Sequence, residues 1–533
     1  MRLRIVRSCV AAAVLASGHG YAQDAASAFV PSSQCIACHA QLTASTGEDV
    51  SIGIEWRATI MANSARDPYW HAAVRREVLD HPTLQAAIED KCSTCHMPMA
   101  RFDAAAAGGQ GQVFANLATT APKHELAMDG VSCTVCHQIS AENLGLHASF
   151  DGGFAIEEAS AGRVVFGPHD VDAGRQALMR SAASFKPSMS THIQKSELCA
   201  TCHTLFTTAR DDAGQEIGTL PEQVPYQEWL HSDYRVTSSC QSCHMPEVAA
   251  EAPVSSVLGQ PRPEVSRHTF LGANAFMLDI LRRNRGELGV KALPQELEAS
   301  AAETRRFLST RAATLAIAVA QRTADGLDLV LDVNSTAGHK LPTAYPARRA
   351  WLHVVVRDAE GRVVFESGAV RPDGSIAGND NDAGGARFEP HYDVVTAPDE
   401  VQIYEAIMVD TRDEVTTGLL RGVRFIKDNR LLPRGFDKRT AELDFAVRGA
   451  AADDANFVGG GDRVHYRIAL PTGTPAPLTV EAELDYQSIA YRWAENLRSY
   501  GADETQRFGR YYAQNAAASA VVIATATATV AAR

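Results

Sequence analysis

The chain has 533 residues, enough for about two to four domains. Its hydrophobic (45%) and charged (21%) fractions are those of an ordinary folded protein. A formal charge of −13 excludes nucleic acid and an anionic membrane surface as natural partners, and makes a positively charged protein the electrostatic complement.

Residues 1–22 read as a secretion leader. Arg2, Arg4 and Arg7 form a positive start, Cys9 through Ser17 a short apolar run, and Gly20-Tyr21-Ala22 a small-residue cleavage site. The apolar run is far shorter than the ~20 residues a membrane span needs. Ala516 to Val530 is apolar but interrupted by threonine, and is expected to pack as a C-terminal element. The mature chain is therefore expected to carry no stable membrane span and to be exported to the periplasm, with an extracellular location as the alternative.

Apart from Cys9, every cysteine falls into one of five Cys-x-x-Cys-His units: Cys35-Ile-Ala-Cys38-His39, Cys92-Ser-Thr-Cys95-His96, Cys133-Thr-Val-Cys136-His137, Cys199-Ala-Thr-Cys202-His203 and Cys240-Gln-Ser-Cys243-His244. This is the attachment pattern of c-type haem. Two thiols at i and i+3 add to the two vinyl groups of one porphyrin, and the next residue supplies an imidazole nitrogen to the iron. Disulfides would not place a histidine after every second cysteine. Structural zinc wants pairs of such units, and five is odd. A thioredoxin-type motif occurs once, beside a βαβ pattern. The cofactor expected is haem c, five per chain and covalently attached, with His39, His96, His137, His203 and His244 as proximal ligands.

The units occupy the first half, and the second half has no cysteine. The fold class expected is α+β multidomain. A mainly α and irregular multihaem domain covers 23–290, its porphyrins replacing an ordinary side-chain core. A linking helix follows at 291–313, then an antiparallel β-sandwich-like domain at 314–485 and a C-terminal helical segment at 486–533. Strand alternation at 314–319 and 327–333 flanks Ala324-Asp325-Gly326, and at 351–356 and 362–365 it flanks Glu360-Gly361, giving two hairpins. Further strands are expected at 402–409, 421–426, 463–470 and 478–485, a long loop at 371–400, and helices over 272–286 and 294–312. An internal repeat is visible in the first half. Glu55-Trp56-Arg57-Ala58-Thr59 precedes the second unit and Glu228-Trp229-Leu230-His231-Ser232 the fifth, and Met-Pro follows both units.

The distal side of each iron decides function. A second His or a Met closes it for electron transfer, and an open position permits small-molecule chemistry. Four histidines rank first as distal ligands: His124 and His192, shortly before units three and four, His169 in the rigid turn Phe166-Gly167-Pro168-His169, and His268 just before a helix. His353 reads as a sheet residue. His339, in a turn at the sandwich edge from which it could dock on a haem, is not ranked with the four.

The Glu-Trp-x-x-[Ser/Thr] spacing, the Cys-x-x-Cys-His-Met-Pro units and Gly130-Val131-Ser132-Cys133 resemble the multihaem c-type cytochromes. That superfamily includes pentahaem nitrite reductase, octahaem hydroxylamine oxidoreductase and tetrahaem carriers. Gly338-His339-Lys340-Leu341-Pro342-Thr343, Asn429-Arg430-Leu431-Leu432-Pro433 and Tyr491-Arg492-Trp493-Ala494 resemble the C-terminal region of members with a β-domain. The resemblance implies a distal histidine two residues after the Ser/Thr of each repeat, where this chain has Met61 and Tyr234. Met61 is accordingly a distal candidate for one of the first two haems. The Lys-substituted attachment unit of nitrite reductases is absent. The leading expectation is electron transfer between periplasmic or extracellular redox proteins, with an oligomer or a filament of stacked cytochromes as open assemblies. The alternative is an oxidoreductase acting on a nitrogen or sulfur compound at one open haem.

Overall fold

Each Cys-x-x-Cys-His unit lies on a turn of helix, which its spacing requires, because i and i+3 share one helical face. Unit two closes the helix Gln85–His96, and unit five forms Cys240–His244. In units one, three and four the histidine N–H donates to the first cysteine's carbonyl, at 3.0, 3.1 and 2.9 Å. The computed structural model of the protein describes residues 27–157, 162–211 and 213–532, so the expected leader at 1–22 lies outside it.

The first half is built mostly of short helices and connections. Its longest helix, Pro68–Asp80, starts where Asp67 accepts hydrogen bonds from the backbone N–H groups of Tyr69 and Trp70, with Pro68 at the first position. Two small sheets were not expected there. Strands β1 (Val164–Gly167) and β2 (Lys186–Met189) pair in parallel, and β3 (Leu205–Arg210) and β4 (Glu216–Gln223) form a hairpin. Helices Ala275–Arg283 and Pro294–Arg311 follow, within the expected spans.

The second half is a pair of sheets. Its strands are β5 (Ala313–Arg322), β6 (Gly326–Ser335), β7 (Arg349–Arg357), β8 (Val363–Ser367), β9 (Val394–Val395), β10 (Ile403–Tyr404), β11 (Ala406–Val409), β12 (Val415–Thr416), β13 (Arg424–Asp428), β14 (Gly461–Ala469), β15 (Leu478–Gln487) and β16 (Ala520–Val530). One sheet runs β5-β6-β14-β9, the other β10-β7-β15-β16 with β8 beside β7, and β12-β11-β13 forms a third, small sheet. Both expected hairpins are present and antiparallel. Alternate residues of the two large sheets face one core, among them Leu329, Leu331, Val354, Val464, Val480 and Leu484. The closing segment departs from expectation. It is helical over Tyr491–Arg498 and Asp503–Asn515, but Ala520–Val530 is a strand paired antiparallel with β15. Alternating alanine with threonine has the period of a strand and suits a half-buried edge.

The two halves share a second core. Tyr69 and Ala72 from helix Pro68–Asp80 pack with Phe276, Leu281, Trp493 and Phe508. Arg75 pairs with Glu504 at 2.9 Å across that seam. No helix among the described residues is long and apolar enough to cross a membrane.

Candidate functional site

The five units face one continuous cavity of about 1170 Å³, lined by all ten cysteines and all five unit histidines, with Trp56, Tyr69, Trp70 and Phe166 among its walls. The cysteines are unpaired by disulfides. Thiols of different units nonetheless touch: Cys35 with Cys133, Cys95 with Cys202, and Cys199 with Cys240. Unit one therefore adjoins unit three, and unit four adjoins both two and five. Burial pushes the Cys92 thiol up, and the Cys136 thiol up to about 12. A thiol kept protonated in apolar surroundings is the opposite of what a zinc thiolate or a redox-active Cys-x-x-Cys needs.

The imidazoles are prepared differently. Burial lowers His96 and His203 to about 4, and lowers His137 and His244 as well, so the rings are neutral. His39 Nδ1 donates to Val254 O (2.6 Å), His96 Nδ1 to Ser64 O (3.1 Å), His137 Nδ1 to Phe166 O (2.6 Å), and His244 Nδ1 to Leu271 O. A carbonyl on Nδ1 selects the tautomer that leaves Nε2 bare as a ligand. Trp70 stacks on the His96 ring at 4.4 Å.

Two unit histidines face a second imidazole. His137 and His268 have ring centres 6.3 Å apart with planes 15° from parallel, and His244 and His339 are 6.1 Å apart at 12°. Two imidazoles on opposite sides of one metal ion, each bonded at about 2.0–2.1 Å, have ring centres roughly 6 Å apart. His268 Nδ1 donates to Ser266 O (3.1 Å) and His339 Nδ1 to Lys340 O (2.9 Å), the arrangement of the unit histidines themselves. Burial lowers His268 to about 3 and lowers His339 too.

The repeated Glu-Trp segments hold these two loops. Glu55 accepts the backbone N–H of His268 at 2.9 Å, and Glu228 accepts that of Lys340, next to His339, at 3.1 Å. The hydroxyl three residues after each tryptophan closes the turn, Thr59 Oγ1 on Trp56 O at 2.8 Å and Ser232 Oγ on Trp229 O at 2.7 Å. Each indole then donates to a backbone carbonyl close in sequence to another unit, Trp56 to Val131 and Trp229 to Ser238. The repeat is thus a scaffold that carries a carboxylate to a histidine loop.

The His339 loop is also locked to the sandwich. Buried Lys340 Nζ lies 2.7 Å from Asp428, Arg430 lies 2.7 Å from Asp428 and 3.0 Å from Glu228, and Leu341 and Leu431 exchange backbone hydrogen bonds. Two cations and two carboxylates balance inside the protein. Burial alone would raise Asp428, but the Arg430 and Lys340 charges and their hydrogen bonds outweigh it and hold the carboxyl below its usual range.

Other expected ligands are distributed unevenly. His169 and Met61 line the cavity, and the Met61 carbonyl accepts from Val131 N–H at 3.0 Å. The Met61 and Ala62 carbonyls lie 2.8 Å from where a side chain on Gly130 would start, so only glycine fits there, at φ +64°. His124 Nδ1 bonds Asn116 O at 2.9 Å, and the ring is not among the cavity walls. His192 has both ring nitrogens hydrogen-bonded within the protein, Nδ1 with Ser190 Oγ (2.6 Å) and Nε2 with Ile139 O (2.8 Å), and its ring is not among the cavity walls. His339 was left out of the ranking because its Gly-His-Lys turn lies at the edge of the sandwich, where local sequence does not say whether it faces a Cys-x-x-Cys-His unit.

No protein-family model matches the chain, and no curated protein matches it. Among solved structures it is similar to a penta-heme cytochrome c552 from Thermochromatium tepidum, at 13% identity and a TM-score of 0.51, over 94% of this chain and 99% of that one. At that identity the likeness is one of fold, and it extends through both halves.

Proposed function

We propose that the protein is a pentahaem c-type cytochrome that passes electrons between redox proteins outside the cytoplasm. The convergence of all five Cys-x-x-Cys-His units on one apolar cavity carries this reading, and the fold shared with a penta-heme cytochrome supports it. The residues fit haem: thiols in pairs at i and i+3, unit imidazoles of which four have Nδ1 tied to a carbonyl, and apolar walls. Haem iron would supply one-electron chemistry. The chain's part is to hold iron with His39, His96, His137, His203 and His244, to place His268 opposite His137 and His339 opposite His244, and to exclude water. The thiol contacts imply that the haem of unit four neighbours those of two and five, and that one neighbours three. A pyridine haemochrome assay on the mature protein should return five haems per chain, and four or fewer would overturn the reading.

One observation favours the alternative of an oxidoreductase with an open haem. His39, His96 and His203 all lack a facing imidazole among the described residues, and at His203 the Arg348 charge also acts on the ring. Carbon monoxide added to the reduced protein distinguishes the two, because a closed six-coordinate haem ignores it.

Met61 is the proposed distal ligand of one of the first two haems. Thioether favours ferrous iron more than imidazole does, so one haem should titrate at a higher potential than the others. Met61→His should lower that single potential and remove a weak sulfur-to-iron band in the far red. Unchanged potentials in the variant would leave Met61 as a wall residue.

A further inference from the structure

Away from the haem cavity, one face of the five-stranded sheet gathers four titratable side chains from three adjacent strands. They are Glu366 on β8, His353 on β7, and Glu483 and Asp485 on β15. His353 stands in register with Glu483, and β8 flanks β7 on the other side. His353 Nε2 lies 3.1 Å from Glu366 Oε1, within hydrogen-bonding distance, whereas Nδ1 lies 3.6 Å from Glu483 Oε2. One ring nitrogen of His353, an oxygen of Glu483 and an oxygen of Asp485 all lie within 4.8 Å of one another.

Asp485 is the telling member. It is 4% exposed, yet among the described residues it has no hydrogen bond or ion pair, and the basic side chain beside it is His353. A buried carboxylate beside a second carboxylate, with no donor, is costly. A divalent ion at the common point of the three side chains removes both penalties. Ligands on a four-coordinate ion with bonds of about 2.0–2.2 Å are roughly 3.3–3.6 Å apart, which matches the 3.6 Å between His353 Nδ1 and Glu483. The tautomer also suits a metal. The Nε2 proton goes to Glu366, leaving Nδ1 bare, which is the carboxylate–histidine–metal relay that orients and strengthens an imidazole ligand.

The buried trio His391, Asp454 and Asp462 makes a useful contrast. There His391 Nδ1 receives amide N–H groups from Gln402 (2.9 Å) and Asn429 (3.1 Å), so Nε2 keeps its proton and gives it to Asp454 at 3.0 Å. Both amides are oriented by their own oxygens, which accept from the backbone of Tyr392 and Glu405. That imidazole has no free nitrogen.

We propose that His353 Nδ1, Glu483 and Asp485 bind one divalent transition-metal ion of the zinc class, with Glu366 as the outer carboxylate. Half-exposed Glu483 provides the route of entry, and one coordination position is left to solvent. The ion would tie β7 to β15. This assignment is independent of the haem reading.

The test uses the full chain with its haems, stripped with EDTA, equilibrated with Zn²⁺ and freed of unbound ion before zinc and iron are counted by mass spectrometry. One zinc per chain is expected. His353→Ala and Asp485→Asn should each weaken binding more than about tenfold, and Glu366→Gln about 10–100-fold, with haem spectra unchanged. Zinc should raise the melting temperature of the wild type but not of Asp485→Asn, which, having lost a partnerless buried charge, should be at least as heat-stable without metal. A wild type that binds no zinc, or zinc retained equally by His353→Ala and Asp485→Asn, would overturn the site.

Discussion

His339→Ala is expected to convert one haem per chain from low spin to a five-coordinate, high-spin state, and to add one carbon monoxide equivalent to whatever the reduced wild type binds. The imidazole of His339 stands 6.1 Å from that of His244 and nearly parallel to it. With Nδ1 committed to Lys340 O and the ring neutral, only Nε2 remains to face an iron. Alanine removes that nitrogen and puts nothing in its place. His268→Ala should do the same to a different haem, the one held by His137, so the double variant should gain two equivalents. His465→Ala is the control, since that residue lies in β14 and not on the cavity wall. Magnetic circular dichroism and carbon monoxide titration read both quantities. If His339→Ala keeps the wild-type spin state and stoichiometry, the sandwich does not supply an axial ligand.

Asp428→Ala should be the most destabilising single substitution in the second half, costing about 3–5 kcal/mol in denaturant unfolding. Removing one partner of a buried pair leaves the other charges uncompensated. Here both Lys340 and Arg430 would be stranded, with Glu228 left to balance the two. Because Lys340 follows His339, the change should also loosen that ligand and reproduce part of the His339→Ala spectrum. The pH dependence has a definite sign. The Asp428 carboxyl is depressed in the folded protein, so its stabilisation is fully present above the unfolded carboxylate pKa of about 3.9 and is lost as pH falls below that toward the folded value. Acid unfolding below about pH 4 should therefore be shallower in Asp428→Ala than in the wild type. Equal stability in the two proteins at pH 7 would mean that the network does not hold the loop.

Most of the second half was legible because strands declare themselves locally. Leu327, Leu329, Leu331 and Val333 alternate with the outward positions of Asp328, Asp332 and Asn334, and β5, β6, β7, β8, β14 and β15 fall close to where such alternation puts them. The last strand was missed because alanine is apolar enough to suit a helix, and the Ala-Thr period was given less weight than composition. The small sheets β1–β2 and β3–β4 were missed for a different reason. Short strands such as Lys186–Met189, containing a proline, carry almost no propensity of their own and exist through their neighbours.

The site divides along the same physical line. The sequence by itself determined the five Cys-x-x-Cys-His units, because thiols at i and i+3 with an imidazole at the next position are a local pattern, and helical geometry turns that spacing into a shape without help from the rest of the chain. It also exposed the Glu-Trp repeat, though not its use. Only the tertiary structure decided which imidazoles stand opposite one another, since His137 and His268 are 131 positions apart and His244 and His339 are 95 apart. It engages both ring nitrogens of His192 within the protein and sets the His339 ring parallel to that of His244. Across such separations a side chain's role is set by the carboxylates that hold its loop, Glu55 for one and Glu228 for the other, and by charges such as Asp428 that become partners only when the chain has closed.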